Sequence, residues 1–170
     1  MKKALILAGV VVCLAPFVDV NAQNVDRDHF GSSDSDTKII GDFNLLAFGK
    51  DDRTLYVTDL GLGTVVSVPV QKDGTAGSVT SFATVPQPDG IAFDVKGEMY
   101  VTSPLTNSID LVAPNGSVHQ LSLDMTRESL NNPSNLAFSG RQLYVTNLGL
   151  AGNPGISVVT VQFPGLSLKA

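Results

Sequence analysis

Three places in the chain set oxygen-bearing side chains directly in front of a short apolar run. They are Asn44 before Leu45, Pro88-Asp89-Gly90 before Ile91, and Pro133-Ser134-Asn135 before Leu136. Asp59, Ser103 and Asn147 each close a second run ending Tyr-Val-Thr. One carboxylate among several amide and hydroxyl oxygens is the ligand set that hard divalent cations prefer. The same residues have a plainer use. Gln87-Pro88-Asp89-Gly90 is good type I turn chemistry without any ligand, an Asn before a strand caps a turn, and Ser134 and Asn135 read as structural.

The elements that must position these residues repeat. Leu-Ala-Phe or Ile-Ala-Phe ends at Phe48, Phe93 and Phe138, in steps of 45, and Tyr56, Tyr100 and Tyr144 follow in steps of 44. A fixed period of about 40–50 residues marks a solenoid, propeller or array. Within one period the pattern reads as strand throughout, with Tyr, Val and Ile favouring extended backbone. The first period predicts strands over 45–48, 55–58, 65–70 and 78–85. The second predicts 91–93, 99–102, 108–112 and 118–123, with Asn115-Gly116 as a hairpin turn. The third predicts 136–138, 143–146 and 156–161 and shows no clear fourth strand. The one helical hint is 124–132, read as a turn or two within a loop. This is an all-β chain, a partial β-propeller of about three four-stranded blades with a 45-residue repeat, in preference to a plain β-sandwich. The blades span about 42–86, 87–131 and 132–170 of a domain covering 39–170. In such a blade the first strand is innermost, so whatever precedes it lies near the axis on one face. Asp59, Ser103 and Asn147 lie on that face further out.

Composition narrows the function. Lys2 and Lys3, the uncharged run Ala4 to Val18 and the small-x-small triplet Val20-Asn21-Ala22 form a signal peptide over 1–22, cleaved before Gln23. The run is shorter than the ~20 residues of a membrane span. Secreted or periplasmic localisation follows, with no stable membrane anchor after cleavage. Of 170 residues, 148 remain after removal of 22, with 9 basic and 15 acidic residues, a net charge of −6. That excludes nucleic acid as a partner, since phosphate binding needs a basic face. Cys13, the single cysteine, leaves with the signal, so disulfide and thiol chemistry are excluded. Residues 23–38 are polar and aperiodic, a flexible lead-in whose aspartates do not match the EF-hand spacing. His29 and His119 stand 90 apart without companions, which argues against zinc held by histidine. There is no Gly-x-Ser-x-Gly elbow, and Gly61-Leu62-Gly63 precedes a strand rather than a helix.

The segments 88–103 (PDGIAFDVKGEMYVTS), 43–61 (FNLLAFGKDDRTLYVTDLG) and 132–149 (NPSNLAFSGRQLYVTNLG) resemble consecutive blades of the senescence marker protein/gluconolactonase/luciferin-regenerating enzyme-like family. The closing Phe163-Pro164-Gly165-Leu166-Ser167-Leu168 resembles the C-terminal end of that family. The resemblance implies the C-terminal half of a six-bladed propeller with a divalent cation on its axis. Calcium comes first, with zinc, magnesium or manganese as alternatives. It implies Asn44 and Asp89 as metal ligands, Asp89 also as the catalytic base, and a sugar-type lactone as substrate. The sequence departs from the family at Phe43 and Leu45, where the family carries Pro and Gly around that Asn. It has no counterpart of the family's Glu ligand or of its second Asn ligand. The expectation is therefore a metal-dependent lactonase, set against a non-catalytic propeller fragment, binding module or degenerate copy. Three blades do not close a ring, so a homodimer completing six blades is set against an aggregation-prone or poorly stable monomer.

Overall fold

Runs of β-branched and aromatic residues, broken by Gly, Asp and Asn, produce strands and tight turns among the described residues. The computed structural model describes residues 5–7, 10–12, 43–150, 152 and 154–167. The cleavage site after Ala22, the lead-in 23–38 and His29 lie outside the described residues. Leu5–Leu7 (β1) and Val10–Val12 (β2) pair antiparallel.

Three antiparallel sheets follow in chain order. The first contains Phe43–Phe48 (β3), Thr54–Asp59 (β4), Thr64–Pro69 (β5) and Thr80–Thr84 (β6). The second contains Ile91–Phe93 (β7), Met99–Ser103 (β8), Ser108–Val112 (β9) and Val118–Leu123 (β10). The third has three strands, Pro133–Ser139 (β11), Gln142–Asn147 (β12) and Gly155–Thr160 (β13). Each strand pairs with its sequence neighbour. The first strands meet from sheet to sheet: β3 touches β7, and β11 touches β7 and β8. This is a partial β-propeller with the first strands innermost.

The core lies between the sheets. Val65, Ala83 and Val85 of the first sheet pack on Ile91, Phe93, Met99, Val101 and Val112 of the second. Tyr100 and Ile109 of the second pack on Leu136, Leu143 and Val145 of the third. Leu55, Val57, Val66 and Val68, on the other face of the first sheet, are buried as well. Burying one such side chain contributes about 1.5–3 kcal/mol.

The tyrosine repeat has a structural meaning. Tyr56, Tyr100 and Tyr144 each sit on the second strand of a sheet. Tyr56 packs against Phe93 of the next sheet with ring centroids 5.2 Å apart, and Tyr100 packs edge-on against Phe138 of the next at 5.2 Å. Among the described residues no sheet follows that of Tyr144, which is 38 % exposed.

Residues 124–132 differ from the helical hint and form turns and bends. The Asp124 carboxylate accepts the N–H groups of Thr126, Arg127, Ser129 and Leu130. Arg127 and Asn132 take positive φ, 62° and 57°. A side chain that collects this many local N–H groups replaces the helical ladder. The last described residues cross from the second sheet to the third. Val95 N–H donates to Pro164 O (3.0 Å), Leu166 N–H to Phe93 O (2.8 Å) and Gly165 N–H to Gly140 O (2.8 Å). Lys96 Nζ lies 5.2 Å from the Phe163 ring centre.

Candidate functional site

Asp89 sits in the segment that leaves β6 and enters β7. Gln87 turns the chain with φ 48°, and Pro88, fixed near −65°, leads it out extended. The turn reading of Gln87–Gly90 does not describe the backbone, because Gly90 N–H goes to Thr102 Oγ1 (2.7 Å) and Asp89 N–H to Thr102 O (2.8 Å). Glycine at 90 is required by the third sheet. A Cβ there would collide with Ser134 O and lie 2.8 Å from Thr102 Oγ1 and 2.9 Å from Asn135 Cα.

That close approach brings Ser134 onto the carboxylate. Ser134 Oγ donates to Asp89 Oδ2 at 2.8 Å. Read from residue types as structural, Ser134 is the side chain that binds the candidate acid. Burial raises the half-buried Asp89 carboxyl above its ordinary range, and the Ser134 bond offsets part of that rise. A carboxylate displaced upward in this way is a better proton acceptor near neutral pH.

Asn44 lies near the start of β3, half-buried, at a break in register between the pairs Phe43–Asp59 and Leu46–Val57. Ser134 and Asn135 occupy the equivalent break between Pro133–Asn147 and Leu136–Val145. Bulges of this kind re-aim side chains beside functional sites. Thr58 joins this segment to the next. Its Oγ1 lies 3.0 Å from Leu45 N, 3.1 Å from Leu45 O and 2.8 Å from Asp89 O. The backbone next to Asn44 and the backbone of Asp89 thus share one buried hydroxyl.

The outer row is used locally. Asp59 Oδ1 caps the loop after β4 by accepting Leu62 N–H at 2.9 Å, while its Oδ2 is buried without a hydrogen-bond partner. Ser103 donates to Asp110 Oδ2 at 3.1 Å, as does Ser108 at 3.2 Å. Asn147 accepts Asn131 N–H at 2.9 Å and donates to Ser157 at 2.8 Å. Asp110 carries no signal in its strand pattern. It is buried, and burial raises its carboxyl against the pull of the two serines. Glu98 is in the turn between β7 and β8, its N–H on Asp94 Oδ1 at 3.0 Å. Burial first and then the Asp94 carboxylate raise it. Glu128 lines a cleft of about 610 Å³ with Arg127, Asn131, Asn147 and Ile156, which does not include Asp89.

As a cation site, Asp89, Asn44 and Ser134 fit in kind, since all three offer oxygen. They supply only part of the six to eight oxygens that calcium takes. No group of three or more His, Cys, Asp or Glu side chains able to hold a metal occurs among the described residues. No helix among them is long and apolar enough to cross a membrane.

The three sheets and their innermost first strands define a partial β-propeller. Residues 24–149 match the SMP-30/Gluconolactonase/LRE-like region, and the chain belongs to that family. Among solved structures, it is similar to a gluconolactonase from Xanthomonas campestris, at 23 % identity and TM-score 0.57, over 75 % of this chain and 39 % of that one. It is similar to a luciferin-regenerating enzyme, at 21 % identity and TM-score 0.63, over 74 % and 47 %. It is also similar to regucalcin, a calcium-binding protein from Agrobacterium tumefaciens, at 18 % identity and TM-score 0.57, over 73 % and 48 %. The chain thus spans less than half the length of each. No curated protein matches it.

Proposed function

We propose that the chain is an exported, secreted or periplasmic protein that hydrolyses a sugar-type lactone with a divalent cation, calcium foremost. The observation that carries this reading is the Asp89 carboxyl, half-buried, raised by burial and tethered by Ser134. Asn44 and Asp89 are the residues that would hold the ion. When bound, the ion would polarise the lactone carbonyl. Asp89 would take the proton of the attacking water, and Ser134 would keep the carboxylate oriented. Zinc, magnesium and manganese are the other ions in this reading.

A second reading has its own support. Among the described residues, Asp89 is the one acidic side chain placed with Asn44 and Ser134 in front of the first strands, which suits a non-catalytic binding module or a degenerate copy of a lactonase. The deciding experiment is lactone hydrolysis with and without calcium, for wild type and Asp89→Ala. Activity lost in the variant supports the lactonase. Inert protein with no calcium-linked rise in melting temperature supports the second reading.

The proposed partner is a second copy of the chain. Tyr56–Phe93 and Tyr100–Phe138 join successive sheets, and Tyr144 and Phe48 are the ring positions left over. Phe48 is 43 % exposed. Two copies joined through this pair would amount to about one of the longer relatives.

A further inference from the structure

The last residue of each Tyr-Val-Thr run is a threonine, at 58, 102 and 146, and the three hydroxyls meet different partners. A hydroxyl has one proton to give and two lone pairs to receive with. Thr58 accepts Leu45 N–H in its own sheet and reaches Asp89 O of the next at 2.8 Å, shorter than the 3.1 Å to Leu45 O. Thr102 accepts Gly90 N–H at 2.7 Å and donates to Ser134 O of the next sheet. Thr146 has no next sheet among the described residues. It accepts Asn135 N–H at 3.1 Å and gives its proton back to Asn135 O at 3.3 Å. Thr58 and Thr102 are fully buried, and Thr146 is exposed.

We propose that Thr58 and Thr102 are positioning residues for the Asp89 site. Each clamps its own sheet to the main chain of the residue that opens the next sheet. Thr58 holds Asp89 by its carbonyl. Thr102 holds Gly90 and Ser134 together, and this sets the Ser134 hydroxyl on Asp89 Oδ2. The carboxylate is fixed from both sides by hydroxyls that never touch it. Thr146, with the same residue type and strand position but no sheet ahead of it, is the control within the molecule.

This inference rests on Asp89 being the site residue, and its test separates the two claims. Three variants are compared with wild type: Thr102→Val, Thr58→Val and Thr146→Val. Valine keeps the shape and the strand preference and removes only the hydroxyl. The first readout needs no cation. At pH 7, the ¹³Cγ resonance of Asp89 reports its hydrogen bonding, and it should move in Thr102→Val and in Thr58→Val as it does in Ser134→Ala. Thr102→Ser, which keeps the hydroxyl, should restore it, and Thr146→Val should leave it in place. The second readout is calcium affinity by titration calorimetry. Removing a group that orients a ligand costs about 10- to 100-fold, expected here for Thr102→Val and Thr58→Val and not for Thr146→Val. A folded Thr102→Val with an unmoved Asp89 resonance overturns the proposal whatever calcium does. A moved resonance in a protein whose wild type binds no calcium keeps the proposal and removes the cation reading. Should Thr102→Val fail to fold, Thr58→Val with an unmoved resonance overturns it equally.

Discussion

Ser134 and Asp89 stand 45 residues apart and are joined by a single hydrogen bond of 2.8 Å between their side chains. They occupy the same position in successive repeats, so the bond links one copy of the motif to the next. A residue that would be a second carboxylate under strict repetition is instead the donor that holds the first.

Removing that donor has a signed consequence. Burial raises the Asp89 carboxyl and the Ser134 bond lowers it, so Ser134→Ala moves the carboxyl further up. A ¹³C titration of Asp89 should show a higher midpoint in the variant than in wild type. If Asp89 is the base, the acid limb of the pH–rate profile shifts to higher pH in step. An unchanged midpoint would mean the bond does not stabilise the carboxylate.

Asp110 makes a prediction about stability. Its carboxyl is raised by burial above the ordinary 3.8. The folded chain therefore keeps a proton over a window just above 3.8 in which the unfolded chain has lost it. Stability from this group is fully present below that window and declines as pH rises through it. Asp110→Asn should flatten this part of the profile in urea denaturation run from pH 3.5 upward. A profile of unaltered slope would assign the dependence elsewhere.

Gly165 predicts the role of the closing segment. A Cβ at 165 would collide with Cβ and Cγ of Phe138, the ring against which Tyr100 packs. Gly165→Ala should cost about 1–3 kcal/mol, the usual penalty of overpacking. It should also release the segment 163–166 to protease at native pH. Wild-type melting and wild-type cleavage would together show that the segment contributes nothing to the join between sheets two and three.

The proposed second copy is tested by mass. One chain is 17.8 kDa, so light scattering of the full chain should give about 36 kDa, twice that value. With Cys13 replaced by Ser, a Phe48→Cys preparation mixed with a Tyr144→Cys preparation should cross-link, and neither preparation should cross-link alone. A monomer of sharp melting that gives no mixed cross-link would end the proposal.

Strand order and the three-sheet plan were legible because they depend on local pattern: Leu-Ala-Phe or Ile-Ala-Phe recurs every 45 residues and Tyr-Val-Thr every 44, and β-branched and aromatic residues extend wherever a neighbour can pair. Ser134 was not legible as a site residue, since Pro-Ser-Asn reads as ordinary entry to a strand. Its role arises only when glycine at 90 lets two backbones approach. The clamping threonines were visible as letters at a 44-residue step, but a hydroxyl's partner depends on the sheet in front of it. Residues 124–132 misled for a similar reason. Met, Arg, Glu and Leu favour helix, and one carboxylate at Asp124 outweighs them by taking four N–H groups.

The threonine hydroxyls also give the stack a direction. Where a sheet follows, protons and tyrosine rings point forward along the chain, so each sheet has a giving face and a receiving face that cannot be exchanged. Like faces do not match: two giving faces set tyrosine against tyrosine and leave each Thr146 hydroxyl on Asn135 O of its own sheet. Any association through the face of Tyr144 is therefore vectorial, front to back. The turn from one sheet to the next then decides between a closed object of fixed mass and a fibre that lengthens with concentration.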